Sequence, residues 1–557
     1  MTTPATAQTS YRLIGPTEDG RFSDLLEALD SSASSLRLQA LIAEWLRMEN
    51  LVVLTGAGTS VSSGGKTMAN LEKSVLSVVK ETAGLSPEVL KIIETRENDV
   101  AAATAAATKL PGTAPPPAAI IAPAPPPPPP PPSPVYAAST PAVPLSTFPA
   151  TPAVPPPPPA GVPSVPPPPP GFVSAAPAYV PPPPGVPAPP STPVLPVPLL
   201  GFEDWLSYVA NAAQIANTPT SPLSDVKWRG GANPSAADLK KFVLVLGKAI
   251  FAECALVLPP TKDTAASGSD VPPHLAFLAK LVARDSNLGR AHLFTLNYDT
   301  LFEQALELLG IQYFDGFTGR ADARFDPAVY GLDIYYPGEI AEGRVRRFDK
   351  FLHLYKLHGS IHWKVEEDEL RAQHPDLKLF KSYRSSTNAE KADELEKLAD
   401  RIPSAGILPT ANKFAQTLTM PFAHIFRSFQ IRLSAPQTFL LVLGYGFGDE
   451  HVNRIIETAL MNPSLVMLVV EPSATSPTTD RIRRYKDLGK RAFILTPTEA
   501  AFAAEPYEFA TFDDFARGIM PDVQWLEDFL RLRRFEKQVK ASSDPIDPSV
   551  SAAVVGP

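Results

Sequence analysis

The sequence predicts an α/β protein organised around a doubly wound parallel sheet with additional helices. Short apolar runs at residues 51–54, 293–296, 439–443 and 465–470 are typical of strands buried on both faces. Segments with apolar side chains at helical spacing lie between these runs, and such an alternation favours parallel strands joined by crossover helices. Loops of glycine and small polar residues follow several strands, where sheets of this class hold their ligands.

The strand at residues 51–54 leads into a loop of small residues, namely Gly56, Ala57, Gly58, Thr59 and Ser60. Glycine permits a tight turn and a close approach of the backbone to a ligand. Backbone N–H groups at such a turn attract anions, and hydroxyl groups add hydrogen-bond donors. We interpret this segment as a phosphate-binding loop, although an ordinary turn between a strand and a helix has the same pattern.

The segments that flank this loop are predicted from their periodicity. Residues 1–20 are polar and are expected to be flexible. Apolar residues at helical spacing predict one or two helices between residues 22 and 50, and one helix over residues 68–95.

Residues 111–200 form a proline-rich insertion. Between residues 111 and 198 there are 40 prolines and no Asp, Glu, Lys or Arg. Consecutive prolines favour extended polyproline II segments that cannot bury a core, so the insertion is expected to be disordered. It acts either as a docking tract for an aromatic-lined proline-binding module or as a semi-rigid spacer.

Helices and apolar strands alternate after the insertion. Ser235 is expected to cap a helix at residues 236–252, with Asp238 three residues further on to complete the cap. Further strands are predicted at residues 293–296, 311–314, 352–357, 439–443, 465–470 and 492–495, and further helices at 274–283, 300–309, 389–401, 422–433, 450–460, 479–488 and 523–539. The pattern predicts one domain from residues 21–110 and 201–500, a C-terminal helical segment at 501–540 and a flexible tail at 541–557.

Composition argues against several functions. The formal net charge is −8, so direct nucleic-acid binding, which needs a basic surface, is not expected. The single cysteine, Cys254, excludes an intrachain disulfide and a zinc site built on several cysteines, and its apolar neighbours predict a small core residue. The N-terminus lacks a basic segment followed by an apolar core, and no segment qualifies as a membrane span. A cytoplasmic protein without a membrane partner is expected.

A second candidate for phosphate binding lies at residues 60–67. This segment matches the P-loop pattern except that Ser60 replaces the first glycine. In a P-loop the first glycine follows the strand at once and the lysine lies six residues later. Here Gly56 follows the strand, but Lys66 lies ten residues beyond Gly56. The spacing therefore does not favour a P-loop.

Three motifs, taken together, resemble the sirtuin family. The first is the loop at residues 56–60, the second is Thr-Leu-Asn-Tyr-Asp at residues 295–299, and the third is Leu-His-Gly-Ser at residues 357–360. The resemblance covers residues 50–75 and 290–475 and straddles the proline-rich insertion. The insertion is therefore predicted to lie within one domain.

The resemblance implies a Rossmann-like domain that binds NAD as its substrate and breaks the bond between nicotinamide and ribose. Asn297 and His358 would be the catalytic residues and would face the nicotinamide ribose. The remaining expected binding residues are Gly56, Ala57, Gly58, Thr59 and Ser60 at the pyrophosphate, Asp299 as a support for the Asn297 loop, and Gly444, Tyr445 and Glu471 on the adenosine side.

These residue types suit that reaction. Loss of nicotinamide leaves an oxocarbenium-like ribose, and a neutral dipole such as the Asn297 amide orients a water molecule or the ribose hydroxyls. A base that titrates near neutrality is also needed, which suits an imidazole such as that of His358. Asparagine in turns and histidine before glycine also have ordinary structural roles, but their joint occurrence at successive strand ends favours function.

The sequence also departs from the protein-deacylating sirtuins. Those enzymes carry a four-cysteine zinc module that helps to frame the acyl-peptide cleft, and a chain with one cysteine cannot build it. Residues 64–67 do not reproduce their Ile-Pro-Asp-Phe-Arg segment either. Neither zinc nor any other metal site is expected, and water is the simplest acceptor of the ribosyl group.

The pattern, including Gly-Tyr-x-Phe-x-Asp at residues 444–449, resembles the bacterial sirtuin-like NAD hydrolases of antiphage defence, which deplete cellular NAD. That resemblance implies a homo-oligomer and a HerA-type hexameric ATPase as a partner. A protein deacylase or ADP-ribosyltransferase is the second hypothesis. The third is a non-catalytic sensor of NAD or ADP-ribose that recruits partners through its prolines.

Overall fold

The computed structural model describes residues 10–16, 22–26, 31–109, 200–219, 228–260, 262–264, 268–285, 287–319, 322–341, 344–366, 369–374, 376–398, 421–473, 481–482 and 491–522. The predicted helix at residues 523–539 and the predicted tail at 541–557 lie outside these residues. The proline-rich insertion also lies outside them, apart from its last residue, as does most of the predicted helix at residues 479–488.

The strands, numbered in chain order, are β1 Tyr11–Pro16, β2 Phe22–Asp24, β3 Asn50–Thr55, β4 Lys262–Thr264, β5 Gly268–Asp270, β6 Ala291–Thr295, β7 Gln312–Phe314, β8 Phe317–Thr318, β9 Ala323–Phe325, β10 Tyr335–Ala341, β11 Arg344–Arg347, β12 Phe351–Lys356, β13 Trp363–Glu366, β14 Glu369–Ala372, β15 Thr438–Leu443, β16 Val466–Val470 and β17 Arg491–Pro497.

The helices are α1 Ser31–Leu46, α2 Met68–Glu81, α3 Pro87–Lys109, α4 Phe202–Asn217, α5 Ala236–Cys254, α6 Pro273–Val282, α7 Leu301–Leu308, α8 Lys381–Ser385, α9 Asn388–Lys397, α10 Phe422–Ser434, α11 Glu450–Ala459, α12 Glu499–Ala504 and α13 Phe512–Asp514. Short 3₁₀ segments occupy Ala57–Ser63, Arg229–Gly231, Pro327–Gly331 and Leu377–Phe380, and a π turn occupies Phe515–Ile519. Ser235 caps α5 as predicted, because its hydroxyl accepts from the backbone N–H of Asp238.

The main sheet has nine strands in the order β2-β1-β17-β16-β15-β3-β6-β12-β7. The seven strands from β17 to β7 are parallel, while β1 pairs antiparallel with β17 and β2 pairs antiparallel with β1. Helices lie between β3 and β6, between β6 and β7, between β12 and β15 and between β15 and β16, and the predicted doubly wound α/β class is confirmed.

The strand order places a crevice beside β3. Strands β6, β12 and β7 lie on one side of β3, whereas β15, β16 and β17 lie on the other. The last residues of five strands are in register across the sheet, in the order Val470, Leu443, Thr55, Thr295 and Lys356. The loops after these strands therefore emerge side by side where the strand order reverses, which is the usual ligand position.

Two apolar layers cover the faces of this sheet. Alternate residues of β3 face opposite sides, so that Leu51 and Val53 belong to one layer and Val52 and Leu54 to the other. Helices α1, α6 and α7 contribute to the first layer, and α10 and α11 contribute to the second. Burial on both faces explains why the central strands are continuous apolar runs.

A separate helical module packs beside the sheet. Its apolar core joins α2, α3, α4 and α5 with α8 and α9. A four-stranded antiparallel sheet, β13-β14-β9-β8, lies elsewhere in the fold. By internal contacts the chain divides into two compact units, Met1–Ala102 with Leu199–Pro557 and, separately, Ala103–Pro198. Of the second unit, the structure describes residues 103–109 of α3.

Two predictions of local structure were wrong. Residues 11–16 are not flexible, because they form β1, whose Leu13 and Ile14 are buried against β17. Residues 68–95 do not form one helix, since α2 ends at Glu81 and α3 begins at Pro87. Gly84 adopts a positive φ in this break and proline is well suited to the first turn of a helix. No helix among the described residues has both the length and the apolar character that a membrane crossing requires.

Candidate active site

A cleft of about 460 Å³ opens at the carboxyl edge of the sheet. Its floor is formed by the loops that follow β3, β6, β12, β15 and β16. The helical module supplies the opposite side through α2, α4 and α5, with Leu71, Glu203 and Glu253 as examples. The volume lies within the range of small-molecule and cofactor sites.

The loops after β3 and β15 pack glycine against glycine. The backbone N–H of Gly58 donates to the carbonyl of Gly444 over 2.9 Å, and that of Gly56 donates to Leu443 over 3.0 Å. A Cβ on Gly58 would lie 2.7 Å from the Cα of Gly444, and one on Gly56 would lie 2.7 Å from the carbonyl oxygen of Gly444. The close approach between the two loops therefore requires glycine at these positions, whether or not a ligand is bound.

Asn297 lies on the loop after β6 and its amide is held by the loop after β3. Its Nδ2 atom donates to Thr59 Oγ1 over 3.0 Å and to Ser60 Oγ over 2.9 Å. Both hydroxyls are themselves donors, since Thr59 donates to the carbonyl of Gly56 and Ser60 donates to Asp299. Thr59 and Ser60 therefore both accept from the amide nitrogen.

Asp299 anchors this arrangement at the start of α7. Its carboxylate accepts from Ser60 Oγ over 2.6 Å and from the backbone N–H of Leu301 over 3.2 Å. The ammonium group of Lys356 donates to the carbonyl of Asp299 and pairs with Glu303 over 3.0 Å. Burial raises the pKa of Glu303 above its ordinary value, although Lys356 opposes that shift. The loop that carries Asn297 is thus fixed from several sides.

His358 follows β12 and reaches a second histidine across the cleft edge. Its Nε2 atom lies 3.3 Å from the Nε2 atom of His451 in the first turn of α11. The carboxylate of Asp449, the residue before α11, lies 3.9 Å from the same nitrogen. His358 is 6 % exposed, and both His358 and Asp449 line the cleft. The imidazole therefore faces a polar cluster in an enclosed position.

Tyr445 and Glu471 lie on the side of the cleft that is formed by the loops after β15 and β16. The hydroxyl of Tyr445 donates to Asn453 Oδ1 over 3.0 Å, which holds the loop after β15 against α11. A carboxylate oxygen of Glu471 accepts from the backbone N–H of Ser473 over 3.2 Å. Both residues line the cleft.

Lys66 also lines the cleft but is paired with a buried carboxylate. Its ammonium group lies 2.7 Å from Glu253, which pairs with Lys391 over 3.2 Å as well. Burial alone would raise the pKa of Glu253, but Lys66, Lys391 and the hydroxyl of Ser74 together outweigh burial and hold that pKa below its ordinary value. The 3₁₀ segment Ala57–Ser63 separates β3 from Lys66. This geometry is unlike that of a P-loop, as the spacing predicted.

The predicted site residues therefore meet in one place. The cleft is lined by Gly56, Ala57, Gly58, Ser60, Asn297, Asp299, His358, Gly444, Tyr445 and Glu471, while Thr59 contacts Asn297 from beneath. His451 and the roles of Glu253 and Asp449 were not predicted from the sequence. Asp449 closes the Gly-Tyr-x-Phe-x-Asp motif and His451 follows two residues later, which was the available signal.

Cys254 borders the cleft as a partly buried residue and packs against the apolar core of the helical module, at its edge rather than at its centre. Its apolar surroundings raise the pKa of the thiol to about 12. The thiol therefore stays protonated near neutral pH and is a poor nucleophile.

Residues 291–489 match the family model of the SIR2-like domain. This segment contains Asn297, His358 and the loops after β15 and β16, while the glycine loop after β3 precedes it. A search of curated proteins found no match. The family match supports a sirtuin-like protein with NAD-related activity, since SIR2-like domains use NAD as a substrate.

Proposed function

We propose that this protein is an NAD hydrolase that cleaves the nicotinamide–ribose bond and releases nicotinamide and ADP-ribose. The observation that carries the proposal is the meeting of Asn297, His358 and the glycine loop in one cleft at the ends of adjacent strands. The SIR2-like match over residues 291–489 supports NAD as the substrate.

In the proposed reaction, the bond between nicotinamide and C1′ of the ribose breaks and nicotinamide leaves with the electron pair. Because Asn297 presents its amide nitrogen to Thr59 and Ser60, its amide oxygen remains to orient a ribose hydroxyl or the attacking water. The water oxygen bonds to C1′ and loses its proton to His358, which acts as the base. The products are ADP-ribose and nicotinamide, and His358 releases the proton to solvent, so that no other reactant is needed.

Water is the proposed acceptor because the chain lacks the means to build the peptide-framing module of protein deacylases. Its single cysteine, Cys254, cannot supply four zinc ligands. On the side of the cleft opposite the sheet lie helices α2, α4 and α5. Without a module that frames an acyl-peptide cleft, hydrolysis of NAD is favoured over transfer to a protein.

The proposed biological role is depletion of NAD in the bacterial cytoplasm during antiphage defence. It rests on the resemblance of residues 444–449 and of the other motifs to sirtuin-like NAD hydrolases of that kind. The same resemblance supports assembly into a homo-oligomer and association with a HerA-type hexameric ATPase. Measurement of the molecular mass by light scattering would test the homo-oligomer. Co-purification with such an ATPase would test the second association.

The activity is tested by incubating the full-length protein with NAD and quantifying nicotinamide and ADP-ribose by chromatography. We expect equal amounts of both products, and we expect Asn297→Ala and His358→Ala each to lower turnover about 100-fold or more. Asn287→Ala and His424→Ala change the same residue types outside the cleft and should retain wild-type turnover. Equal turnover in all four variants would exclude the proposed catalytic residues.

A parallel incubation with an acetylated peptide separates the alternatives. Product that forms only with the peptide would identify a deacylase or an ADP-ribosyltransferase instead. Saturable binding of NAD without product, both in the isolated protein and in cells that express it, would identify a sensor.

A further inference from the structure

A cluster of three potential metal ligands lies at the edge of the cleft. It comprises His358 after β12, His451 in α11 and Asp449 immediately before α11. One ligand atom from each residue lies within 4.8 Å of the other two. The two imidazole Nε2 atoms point at each other over 3.3 Å, with an angle of 37° between the ring planes.

That separation is the one a shared ion would impose. Two imidazole nitrogens bound to one tetrahedral ion, each at roughly 2.0–2.1 Å, lie about 3.3–3.4 Å apart. The carboxylate oxygen of Asp449 lies 3.9 Å from His358 Nε2, about 0.5 Å beyond the separation of two ligand atoms in such a shell. Asp449 and His451 are two residues apart, and their shared backbone holds both toward His358.

The ligand types select the class of ion. Imidazole nitrogen suits zinc, copper, iron and nickel, whereas calcium and magnesium prefer shells made of oxygen. Three protein ligands leave a fourth position for water, and His358 and Asp449 both line the cleft, so that position is accessible to solutes. The ring of His451 packs at 5.2 Å against that of Phe426, which limits its rotation.

We propose that His358, His451 and Asp449 bind a divalent first-row transition-metal ion, with zinc as the expected species. We further propose that the bound ion inhibits the enzyme, a step that rests on the proposed NAD hydrolase activity. Coordination takes up the electron pair on His358 Nε2, which the hydrolysis requires as the base. The expectation from the sequence that no metal site exists considered cysteine ligands alone.

A direct hydrogen bond between two neutral imidazoles would also bring the two nitrogens to about 3.3 Å, and cobalt binding separates the two arrangements. Full-length protein is stripped with EDTA, desalted and titrated with Co²⁺ while the visible absorption is recorded. We expect intense bands of low-coordinate cobalt at one equivalent, and their loss when one equivalent of Zn²⁺ is added. His451→Ala should abolish the bands, whereas His424→Ala should retain them. No bands in the wild type, or equal bands in His451→Ala, would overturn the site.

NAD turnover tests the inhibitory role separately. We expect one equivalent of zinc to lower wild-type turnover at least tenfold, EDTA to restore it, and His424→Ala to behave like the wild type. Turnover by His451→Ala, whatever its rate without metal, should lose most of its sensitivity to zinc. If chelation abolished turnover and added zinc restored it, the proposed inhibition by the metal would be wrong. Cobalt binding without NAD turnover under any condition would refute the proposed hydrolase while the metal site stands.

Discussion

At the scale of single residues, the orientation of the Asn297 amide follows from the donors around it. Thr59 donates its proton to the carbonyl of Gly56, and Ser60 donates its proton to the carboxylate of Asp299. Each hydroxyl has thereby used its only proton. It can pair with the Asn297 amide only as an acceptor, and therefore only with the amide nitrogen. The side-chain oxygen of Asn297 is thereby assigned to other partners. The Asp299 carboxylate and the Gly56 carbonyl thus determine which end of the Asn297 amide is available.

We predict that Ser60→Ala lowers kcat/KM for NAD by roughly 10- to 100-fold. The change removes one acceptor of the Asn297 amide and the donor that satisfies Asp299, and hydrogen bonds to charged groups are worth about 1.5–3 kcal/mol. Steady-state kinetics of nicotinamide release measure the effect.

Ser63→Ala is the matched control because Ser63 lies in the same 3₁₀ segment. Its buried hydroxyl has no hydrogen-bond partner among the described residues, so its removal should leave both turnover and stability near wild type. Equal losses in the two variants would mean that the 3₁₀ segment tolerates no change, and would refute the specific role of Ser60.

The predictability of the site differs between residues. Asn297, Asp299 and His358 could be predicted because each follows an apolar strand, and strand ends meet at one edge of a parallel sheet. His451 could not be predicted in this way, since it lies in α11 and reaches His358 only through the packing of α11 on the sheet. The pairing of Lys66 with Glu253 joins residues 187 positions apart and left no local signal.

At the scale of elements, the contact between the loops after β3 and β15 requires glycine on both sides. Gly58 and Gly444 are joined by a backbone hydrogen bond, and a Cβ on Gly444 would lie 2.5 Å from the backbone nitrogen of Thr59. Gly444 also has a φ of +61°, which disfavours any residue with a side chain. The glycine pattern that predicted phosphate binding thus also joins the two halves of the sheet.

We predict that Gly58→Ala lowers the free energy of unfolding by about 1–3 kcal/mol, because the added methyl group meets backbone atoms that cannot move aside. Gly444→Ala should cost a further 1–2 kcal/mol or so, from its left-handed conformation. Gly446→Ala is the control two residues away, where an added Cβ meets nothing within 4 Å. Thermal unfolding followed by circular dichroism measures all three. A Tm for Gly58→Ala equal to that of Gly446→Ala would contradict the packing argument.

The elements that the sequence predicted poorly are those that are structured through pairing with residues far away in the chain. The central strands β3, β15 and β16 are buried on both faces and appear in the sequence as apolar runs. Strand β1 is an antiparallel addition near the sheet edge, and its pairing with β17 joins residues near both ends of the chain. Its short sequence, Tyr-Arg-Leu-Ile-Gly-Pro, carries no comparable signal.

At the scale of the whole molecule, the chain leaves the helical module and later returns to it. A guanidinium nitrogen of Arg96 in α3 donates to the carbonyl of Leu200 over 2.8 Å, and the Arg96 side chain pairs with Glu72 over 2.6 Å. The apolar core of the module joins α2 and α3, which precede the proline-rich insertion, to α4 and α5, which follow it. One fold is therefore built from both flanks.

Because both flanks of the insertion build one fold, we predict that the unit Ala103–Pro198 can be replaced by a linker of eight glycine and serine residues without loss of the fold. Ala102 lies six residues beyond Arg96, or about 9 Å along a helix, and such a linker spans about 15 Å on average. Because the sequence predicts disorder over residues 111–200, which make up most of the replaced unit, the shorter loop should lower the closure entropy cost by about 2 kcal/mol. Calorimetry should show one cooperative transition at an unchanged or slightly higher Tm. A lower Tm would instead mean that the replaced segment contributes packing of its own, in which case neither a spacer nor a docking tract describes it fully.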